Sequence, residues 1–191
     1  MKCLDIGAGY KKFRKDAISI DYNPLCNPDV IHDLNIYPWP FKDNEFDIIY
    51  SSHCLEHLDN LEKAIEEIWR IGKPNCLVII KVPHFSSRIA YVDIEHKHFF
   101  SIHSFRNYTP EFAKLRGSKF VFKIEKIKLY YQPRIDKEVI PLWAQKILPL
   151  INFFNKLITL VANINIEFCE RVWCYWVGGM GEVEFILRVV K

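Results

Sequence analysis

The sequence lacks cysteine pairs, internal repeats and low-complexity segments. None of its 6 cysteines forms a C-x-x-C pair with another, and several stand inside apolar runs, where free cysteine behaves as a small hydrophobe. We therefore expect a reducing cytosol. Half of the 191 residues are apolar and 26% are charged, a composition typical of a globular protein rather than a disordered one.

A strong charge of one sign is also absent. The formal net charge is only +3, too small for a nucleic-acid footprint, so nucleic acid is an unlikely partner class. Residues 147–166 carry one charge, but Pro149 and Lys156 interrupt them, which makes a poor membrane span. The first predicted strand begins at residue 3 and leaves no room for a signal peptide. We expect a cytoplasmic protein.

Short, continuous apolar runs alternate with turns or helices along the first half of the chain. Such runs are typical of strands buried on both faces of a parallel sheet. The predicted strands are residues 3–6, 17–20, 30–31, 46–50 and 76–82. A helix is predicted over residues 58–72, where apolar side chains repeat at helical spacing opposite charged ones. This alternation predicts a Rossmann-like, doubly wound α/β fold.

The second half adds two strands and an apolar insertion. Thr109 and Pro110 predict a helix start, and strands are predicted over residues 119–131 and 182–190. Between them, residues 132–181 contain two apolar helical stretches, 139–164 and 167–176. We predict one domain over residues 1–191, with a mostly parallel seven-stranded sheet and with residues 132–181 as a helical lid or interaction surface before the last strand.

The first strand ends in a glycine loop, Leu4-Asp5-Ile6-Gly7-Ala8-Gly9. A lone Gly-x-Gly also occurs in ordinary turns, but after a strand it lets backbone approach a ligand closely. The dinucleotide fingerprint needs a third glycine where this sequence has Lys12, and Asp21 follows Gly9 by only twelve residues. The loop therefore suits a nucleotide-like ligand without a pyrophosphate, such as S-adenosylmethionine, with Asp21 accepting hydrogen bonds from ribose hydroxyls.

Five segments in order resemble the class I S-adenosylmethionine-dependent methyltransferases, in particular the group called methyltransferase type 11. They are LDIGAG (4–9), ISIDYNP (18–24), DVIHDLN (29–35), WPFKDNEFDIIYSSHCLEHL (39–58) and CLVIIKVPHF (76–85). A further similarity is D-x-x-H-x-x-x-F at Asp93, His96 and Phe100. The resemblance implies a methyltransferase that uses S-adenosylmethionine, with an antiparallel last strand in its sheet.

Carried over by position, the resemblance implies ten cofactor-binding residues at the carboxyl ends of the strands. They are Asp5, Gly7 and Gly9 around the methionine part, Asp21 at the ribose with Tyr22 beside it, Asp33, Leu34 and Asn35 at the adenine, and Ser51 and Ser52 near the sulfonium. Aspartate at a strand end is in isolation more often a cap or turn residue. Two such acids in register after Gly-x-Gly favour the cofactor role.

Three histidines are candidates for an acceptor-side base or positioning group, because histidine titrates near neutrality. They are His53, His84 and His96, each with a packing role as the alternative. Residues 53–57 spell H-x-x-E-H, a pattern that can bind zinc. No distant carboxylate ligand is evident, and His96 with His98 seldom suffices, so we predict no metal site.

The acceptor itself is left open between a small molecule, a glycan and a lipid-linked compound. Aromatic residues of the insertion predict a roof over the acceptor, a second small core, a homodimer interface or a peripheral membrane contact. They are Trp143, Phe153, Phe154, Trp173, Tyr175 and Trp176. A non-catalytic cofactor-binding assembly protein is the alternative function. A nicotinamide oxidoreductase is disfavoured by Lys12 and by the lack of a Tyr-x-x-x-Lys pairing.

Overall fold

A computed structural model describes residues 1–131, 145–146 and 148–191 and contains one seven-stranded sheet. Its strands are β1 (Cys3–Ile6), β2 (Ile18–Asp21), β3 (Val30–Ile31), β4 (Phe46–Ser52), β5 (Gly72–Pro83), β6 (Val121–Tyr130) and β7 (Glu182–Val190). Their order across the sheet is β3-β2-β1-β4-β5-β7-β6. All seven predicted strands are present, and β5 is four residues longer at its start than the prediction from residue 76.

The strand directions confirm the predicted fold class. Strand β1 lies between β2 and β4, and both pairings are parallel, as are those of β3 with β2 and of β5 with β4. Strand β7 runs antiparallel to both of its neighbours, β5 and β6. The sheet is therefore Rossmann-like and mostly parallel with an antiparallel last strand, and the carboxyl ends of the first five strands meet at one edge.

The helices are α1 (Leu61–Ile71), α2 (Ile89–Val92), α3 (Pro110–Arg116), α4 (Leu148–Ala162), α5 (Ile166–Phe168) and α6 (Cys174–Trp176), with a π-helical segment Cys169–Trp173 joining the last two. Three 3₁₀ turns cover Pro24–Cys26, Leu55–His57 and Arg106–Tyr108. Helix α1 starts three residues later than predicted, because the Asn60 side chain accepts a hydrogen bond from the Lys63 N–H at 3.0 Å and caps it. Its Ala64, Ile65 and Ile68 side chains are buried in the core.

The connection from β1 to β2 contains turns and no helix among residues 7–17. Two buried carboxylates hold it in place instead. Asp5 Oδ2 accepts from the Phe13 N–H at 2.5 Å, and Asp21 Oδ2 accepts from the Gly9 N–H at 3.0 Å. The Phe13 ring also stacks on Tyr50 with centroids 4.0 Å apart. Side-chain hydrogen bonds and stacking thus replace the crossover helix.

Helix α4 lies along the outer edge of β6. Asn163, just after the helix, accepts from the Leu129 N–H at 3.0 Å and donates to the Leu129 carbonyl at 2.7 Å, and Thr159 Oγ1 accepts from the Tyr131 N–H at 3.1 Å. These contacts satisfy backbone groups that an edge strand otherwise leaves unpaired. Among the residues that the structure describes, no helix is both long and apolar enough to cross a bilayer. Trp143, with the rest of 132–144 and residue 147, lies outside the described residues.

The contact between Asn163 and β6 gives a stability prediction. Leu129 is fully buried, so Asn163→Ala leaves its backbone N–H and carbonyl without partners on that side. Leaving buried polar groups unsatisfied costs about 1–3 kcal/mol, and we expect the free energy of unfolding in urea to fall by that amount. Asn152→Ala, an exposed change on the same helix, is the matched control. Equal stability of the two variants would contradict this account of how α4 is held.

Candidate functional site

A cavity of about 480 Å³ opens at the carboxyl ends of the strands, and we call it the strand-end cavity. Seven of the ten predicted cofactor residues line it, namely Gly7, Gly9, Asp21, Tyr22, Asp33, Leu34 and Asn35. Two others, Asp5 and Ser52, line an adjoining cavity of about 330 Å³ that shares Gly7. Ser51 is 1% exposed and lines neither cavity. The topology therefore gathers segments from four strand ends around one space.

The glycine loop presents bare backbone to the strand-end cavity. Gly7 has φ +64°, and a Cβ added there would lie 2.5 Å from Cys54 Sγ, so no side chain fits. Gly9 has φ +54°, and an added Cβ would meet nothing within 4 Å. Both backbone conformations favour glycine. The open space above Gly9 leaves its backbone accessible to a ligand.

Asp21 ends β2 and faces the same cavity with a carboxylate that is only partly used. Its Oδ2 accepts from the Gly9 N–H at 3.0 Å and its Oδ1 accepts from the Asn23 N–H at 2.9 Å. A carboxylate has about four acceptor positions, so lone pairs are left for ligand hydroxyls. Asp33 is exposed, and its Oδ1 accepts from the Asn35 N–H at 2.9 Å. The two acids stand at neighbouring strand ends.

Asp5 stabilises the loop that follows β1. Its side chain is buried, and burial raises the pKa of the carboxyl, while the hydrogen bond from the Phe13 N–H and the charge of Lys12 oppose that rise. The Asp5 carboxylate therefore stabilises the connection between β1 and β2, next to Gly7 and Gly9.

A third cavity of about 750 Å³ also has His53 in its wall, and we call it the polar cavity. It is lined by Tyr50, Ser52, His53, Lys81, Tyr130, Asn152, Asn155, Lys156, Thr159, Leu160 and Glu182. The five residues from α4 are spaced i, i+3, i+4, i+7 and i+8, which is one face of a helix. The predicted helical insertion thus supplies one wall. His53 is the residue that lines both this cavity and the strand-end cavity.

His53 stands between two carboxylates at this junction. Its Nε2 lies 2.7 Å from Glu182 Oε1, and its Nδ1 lies 3.3 Å from Glu56 Oε1. The hydrogen bond to Glu182, followed by the pairing with the nearby Glu56 carboxylate, raises the pKa of His53 to about 9 despite its burial. Its backbone has φ +51°, an uncommon conformation for a residue with a side chain. That conformation turns the chain sharply at the end of β4.

The structure places His84, another of the three candidate histidines, in a buried position. It is 0% exposed and lies outside both cavities, and its two ring nitrogens contact Ser86 Oγ at 2.7 Å and Glu170 Oε2 at 2.9 Å. This environment favours the packing role that the sequence left as the alternative for His84. His96 lines neither cavity, and its ring packs edge-on against His57, a residue of the strand-end cavity wall, with centroids 4.6 Å apart.

Sequence reasoning missed several residues of these cavities. Glu182 comes to His53 from 129 residues away, and no local pattern marks it. Glu95 lines the strand-end cavity from within the D-x-x-H-x-x-x-F segment, which was the available signal. His57 and the buried Glu56 lie in the H-x-x-E-H stretch, which the sequence pattern associates only with zinc binding.

The fold and the site define a class of protein. A seven-stranded sheet in this order with an antiparallel β7, and with a glycine loop and an acid at the ends of β1 and β2, is the class I S-adenosylmethionine-dependent methyltransferase fold. Residues 4–80 match the family model described as a methyltransferase domain. This match and the fold support assignment to the class I S-adenosylmethionine-dependent methyltransferase superfamily, and family and fold imply S-adenosylmethionine as the cofactor.

Individual relatives agree with this assignment. The chain is 42% identical over 41 residues to ajmaline N-methyltransferase of Rauvolfia serpentina, a match that covers 22% of this chain and 14% of the relative. An S-adenosylmethionine-dependent methyltransferase structure from Archaeoglobus fulgidus superposes with a TM-score of 0.56 at 22% identity, over 98% of this chain and 85% of that one. A chain in the complex of the Haloferax volcanii Trm112 methyltransferase activator with a methyltransferase gives 0.57 at 15% identity, over 99% and 82%. These two structures show the shared fold.

Proposed function

We propose that this protein transfers a methyl group from S-adenosylmethionine in the strand-end cavity to a small polar acceptor in the polar cavity. The observation that carries the proposal is the position of His53, whose side chain lines both cavities. Two adjoining cavities with a shared wall residue are what a two-substrate transfer reaction requires, because donor and acceptor must be held in line.

The residues of the strand-end cavity fit the cofactor. The open backbone face at Gly9 admits a close ligand, and the unused lone pairs of Asp21 suit ribose hydroxyls. Asp33, Leu34 and Asn35 would hold the adenine end. Asp5, Gly7 and Ser52 would surround the methionine end. When bound, S-adenosylmethionine supplies a methyl group already activated by its sulfonium charge.

The polar cavity favours an acceptor with hydroxyl, amine or anionic groups. Lys156 is exposed on α4 and has no ion pair with a described residue, and Lys81 faces the same space from β5. Tyr50 and Tyr130 add hydroxyl groups. This lining supports a small molecule or a glycan over a lipid tail. Ajmaline N-methyltransferase, whose name describes a small-molecule methyltransferase, is consistent with that class.

The chain's own groups also provide for the proton that a hydroxyl or amine acceptor loses. The Glu182 carboxylate lines the polar cavity and is held at 2.7 Å by the His53 Nε2. With S-adenosylmethionine bound, Glu182 would take the proton that the acceptor loses as it gains the methyl group. His53 positions the carboxylate. The α4 wall of the polar cavity would help to exclude water from the acceptor.

Turnover tests this arrangement. With S-adenosylmethionine and a panel of small amines, hydroxy acids and sugars, we expect release of S-adenosylhomocysteine with at least one acceptor. Glu182→Gln keeps the size of the side chain but removes the base, and we expect kcat to fall by about 10²–10⁴-fold with the cofactor Kd unchanged. Glu125→Gln, on β6 and paired with Arg188, is the control expected to retain full kcat. Full activity of Glu182→Gln would contradict the assigned role.

A second candidate is a cofactor-binding protein that serves assembly without catalysis. The observation that favours it is a set of exposed apolar side chains on the insertion: Phe153 61%, Phe154 50%, Leu160 67%, Ile164 79%, Tyr175 70% and Trp176 84% exposed. Such a surface suits a protein partner, a second copy of the chain or a membrane surface. Cofactor binding without turnover on any acceptor, together with a stable complex through this surface, would favour assembly over catalysis.

A further inference from the structure

Three potential metal ligands meet beside the strand-end cavity. After β4 the chain turns at His53 into the 3₁₀ turn Leu55–His57, which places Glu56 and His57 side by side. The loop of residues 93–100 lies against this turn, because the Lys97 and His98 N–H groups donate to the Glu56 carbonyl at 2.8 and 3.2 Å. This contact brings His96 close to Glu56 and His57. One ligand atom from each of Glu56, His57 and His96 lies within 4.8 Å of the other two.

The Glu56 carboxylate is the independent sign that a cation belongs here. It is 0% exposed, and neither oxygen accepts a hydrogen bond from any described residue. One oxygen lies 3.3 Å from His53 Nδ1, an ion-pair distance that leaves the carboxylate without a normal hydrogen bond. A buried carboxylate is strongly destabilising unless it is paired and hydrogen-bonded or coordinates a metal. A metal ion would satisfy it.

His96 is oriented as metal-binding histidines are. Its Nδ1 lies 3.1 Å from the Ala90 carbonyl, which only accepts, so Nδ1 carries the hydrogen and Nε2 keeps its lone pair. A ring held by its second nitrogen in this way is the usual outer support of a metal ligand. His57 makes no side-chain hydrogen bond with a described residue, and it lines the strand-end cavity.

We propose that Glu56, His57 and His96 form a binding site for a first-row divalent cation, with Zn²⁺ as the reference ion, in the wall of the strand-end cavity. Two imidazoles and one carboxylate suit zinc, cobalt or manganese, whereas magnesium and calcium prefer oxygen ligands throughout. The ion ties the turn after β4 to the 93–100 loop, which carries Glu95 to the cavity. Metal binding here is independent of methyl transfer.

The sequence pattern alone predicted no metal site here, and the reason lies in the ligands that the pattern implies. H-x-x-E-H predicts that the two histidines of one helix bind the metal together, and no distant carboxylate completes the set. In the structure His53 faces Glu182 instead, and the distant ligand is a histidine, His96, from 39 residues beyond His57. The stretch contributes its glutamate and its second histidine.

The test is metal titration of the whole protein, purified without a histidine tag and stripped with a chelator. We expect one equivalent of ZnCl₂ to bind in competition with a chromogenic chelator and to raise the Tm, and CoCl₂ to give visible ligand-field bands. Even outer partners contribute about 10–100-fold to metal affinity, so losing a direct ligand in His96→Ala or Glu56→Gln should weaken binding by at least about 100-fold.

His103→Ala is the matched control, because that imidazole is exposed and pairs with Glu167 away from the cluster. It should bind zinc as the wild type does. Because Glu56 is buried, the fold of each variant is checked by circular dichroism. If Glu56→Gln misfolds, the result for His96→Ala decides the test, because the His96 side chain is partly exposed. Absence of stoichiometric zinc binding in the wild type, or wild-type affinity in a folded His96→Ala protein, would overturn the proposal.

Discussion

Replacing Asp21 by alanine is expected to weaken the binding of S-adenosylmethionine and S-adenosylhomocysteine by at least about 100-fold in calorimetric titration. The change removes the acceptor for ribose hydroxyls and also the acceptor of the Gly9 N–H, so the glycine loop loses its support at the same time. Hydrogen bonds to a charged group contribute about 1.5–3 kcal/mol each, and two of them account for a factor of this size.

Two matched variants separate the contributions of Asp21. Asp21→Asn keeps one side-chain oxygen, so an intermediate loss of affinity is expected. Asp16→Ala removes an exposed acid that pairs with Arg14 in the same half of the chain, and it should bind the cofactor as the wild type does. If Asp21→Ala bound S-adenosylhomocysteine with unchanged affinity, the strand-end cavity would not be the cofactor site.

Replacing Glu170 by alanine is expected to lower the free energy of unfolding by about 3–5 kcal/mol, because it removes a buried carboxylate and leaves its hydrogen-bond donors without acceptors. Glu170 is 7% exposed and accepts from His84 Nε2 at 2.9 Å and from the Ile102 N–H at 2.7 Å. It thereby connects the π-helical segment of the insertion to the end of β5. Urea unfolding at neutral pH measures the effect.

Glu167→Ala is the control for this prediction, since Glu167 lies three residues earlier, in α5, and is half exposed. Its ion pair with Arg171 is a surface pair, which contributes only about 0–1 kcal/mol. A Glu170→Ala protein as stable as Glu167→Ala would mean that the insertion is held by apolar packing alone.

The Glu170 contribution should also depend on pH in a definite direction. Burial would raise the pKa of this carboxyl, but hydrogen bonds from His84 and the Ile102 N–H outweigh it and hold the pKa below its usual range. A lowered folded-state pKa stabilises the protein above the unfolded value of about 4.3, and that stabilisation is lost as the pH falls through the folded value. The stability difference between wild type and Glu170→Gln should therefore narrow in acid.

The histidines show where sequence reasoning stopped. His53, His84 and His96 look equivalent in the sequence, each in a loop after a strand or close to one. In the fold, His53 stands between two cavities, His84 is sealed against Glu170, and His96 packs on His57. Nothing local distinguishes these environments, because each depends on a partner between 39 and 129 residues away along the chain.

The sequence by itself determined the strands, the glycine loop after β1, the acid at the end of β2 and, through them, the resemblance to the methyltransferase superfamily and the cofactor that this resemblance implies. Those features are local, since apolar periodicity, a Gly-x-Gly turn and strand-end acids act over a few residues. Only the tertiary structure decided that α4 forms a wall of the polar cavity, that Glu182 meets His53, and that His96 comes close to Glu56 and His57. Such contacts are set by the packing of distant segments, and a single sequence carries no local pattern that identifies them.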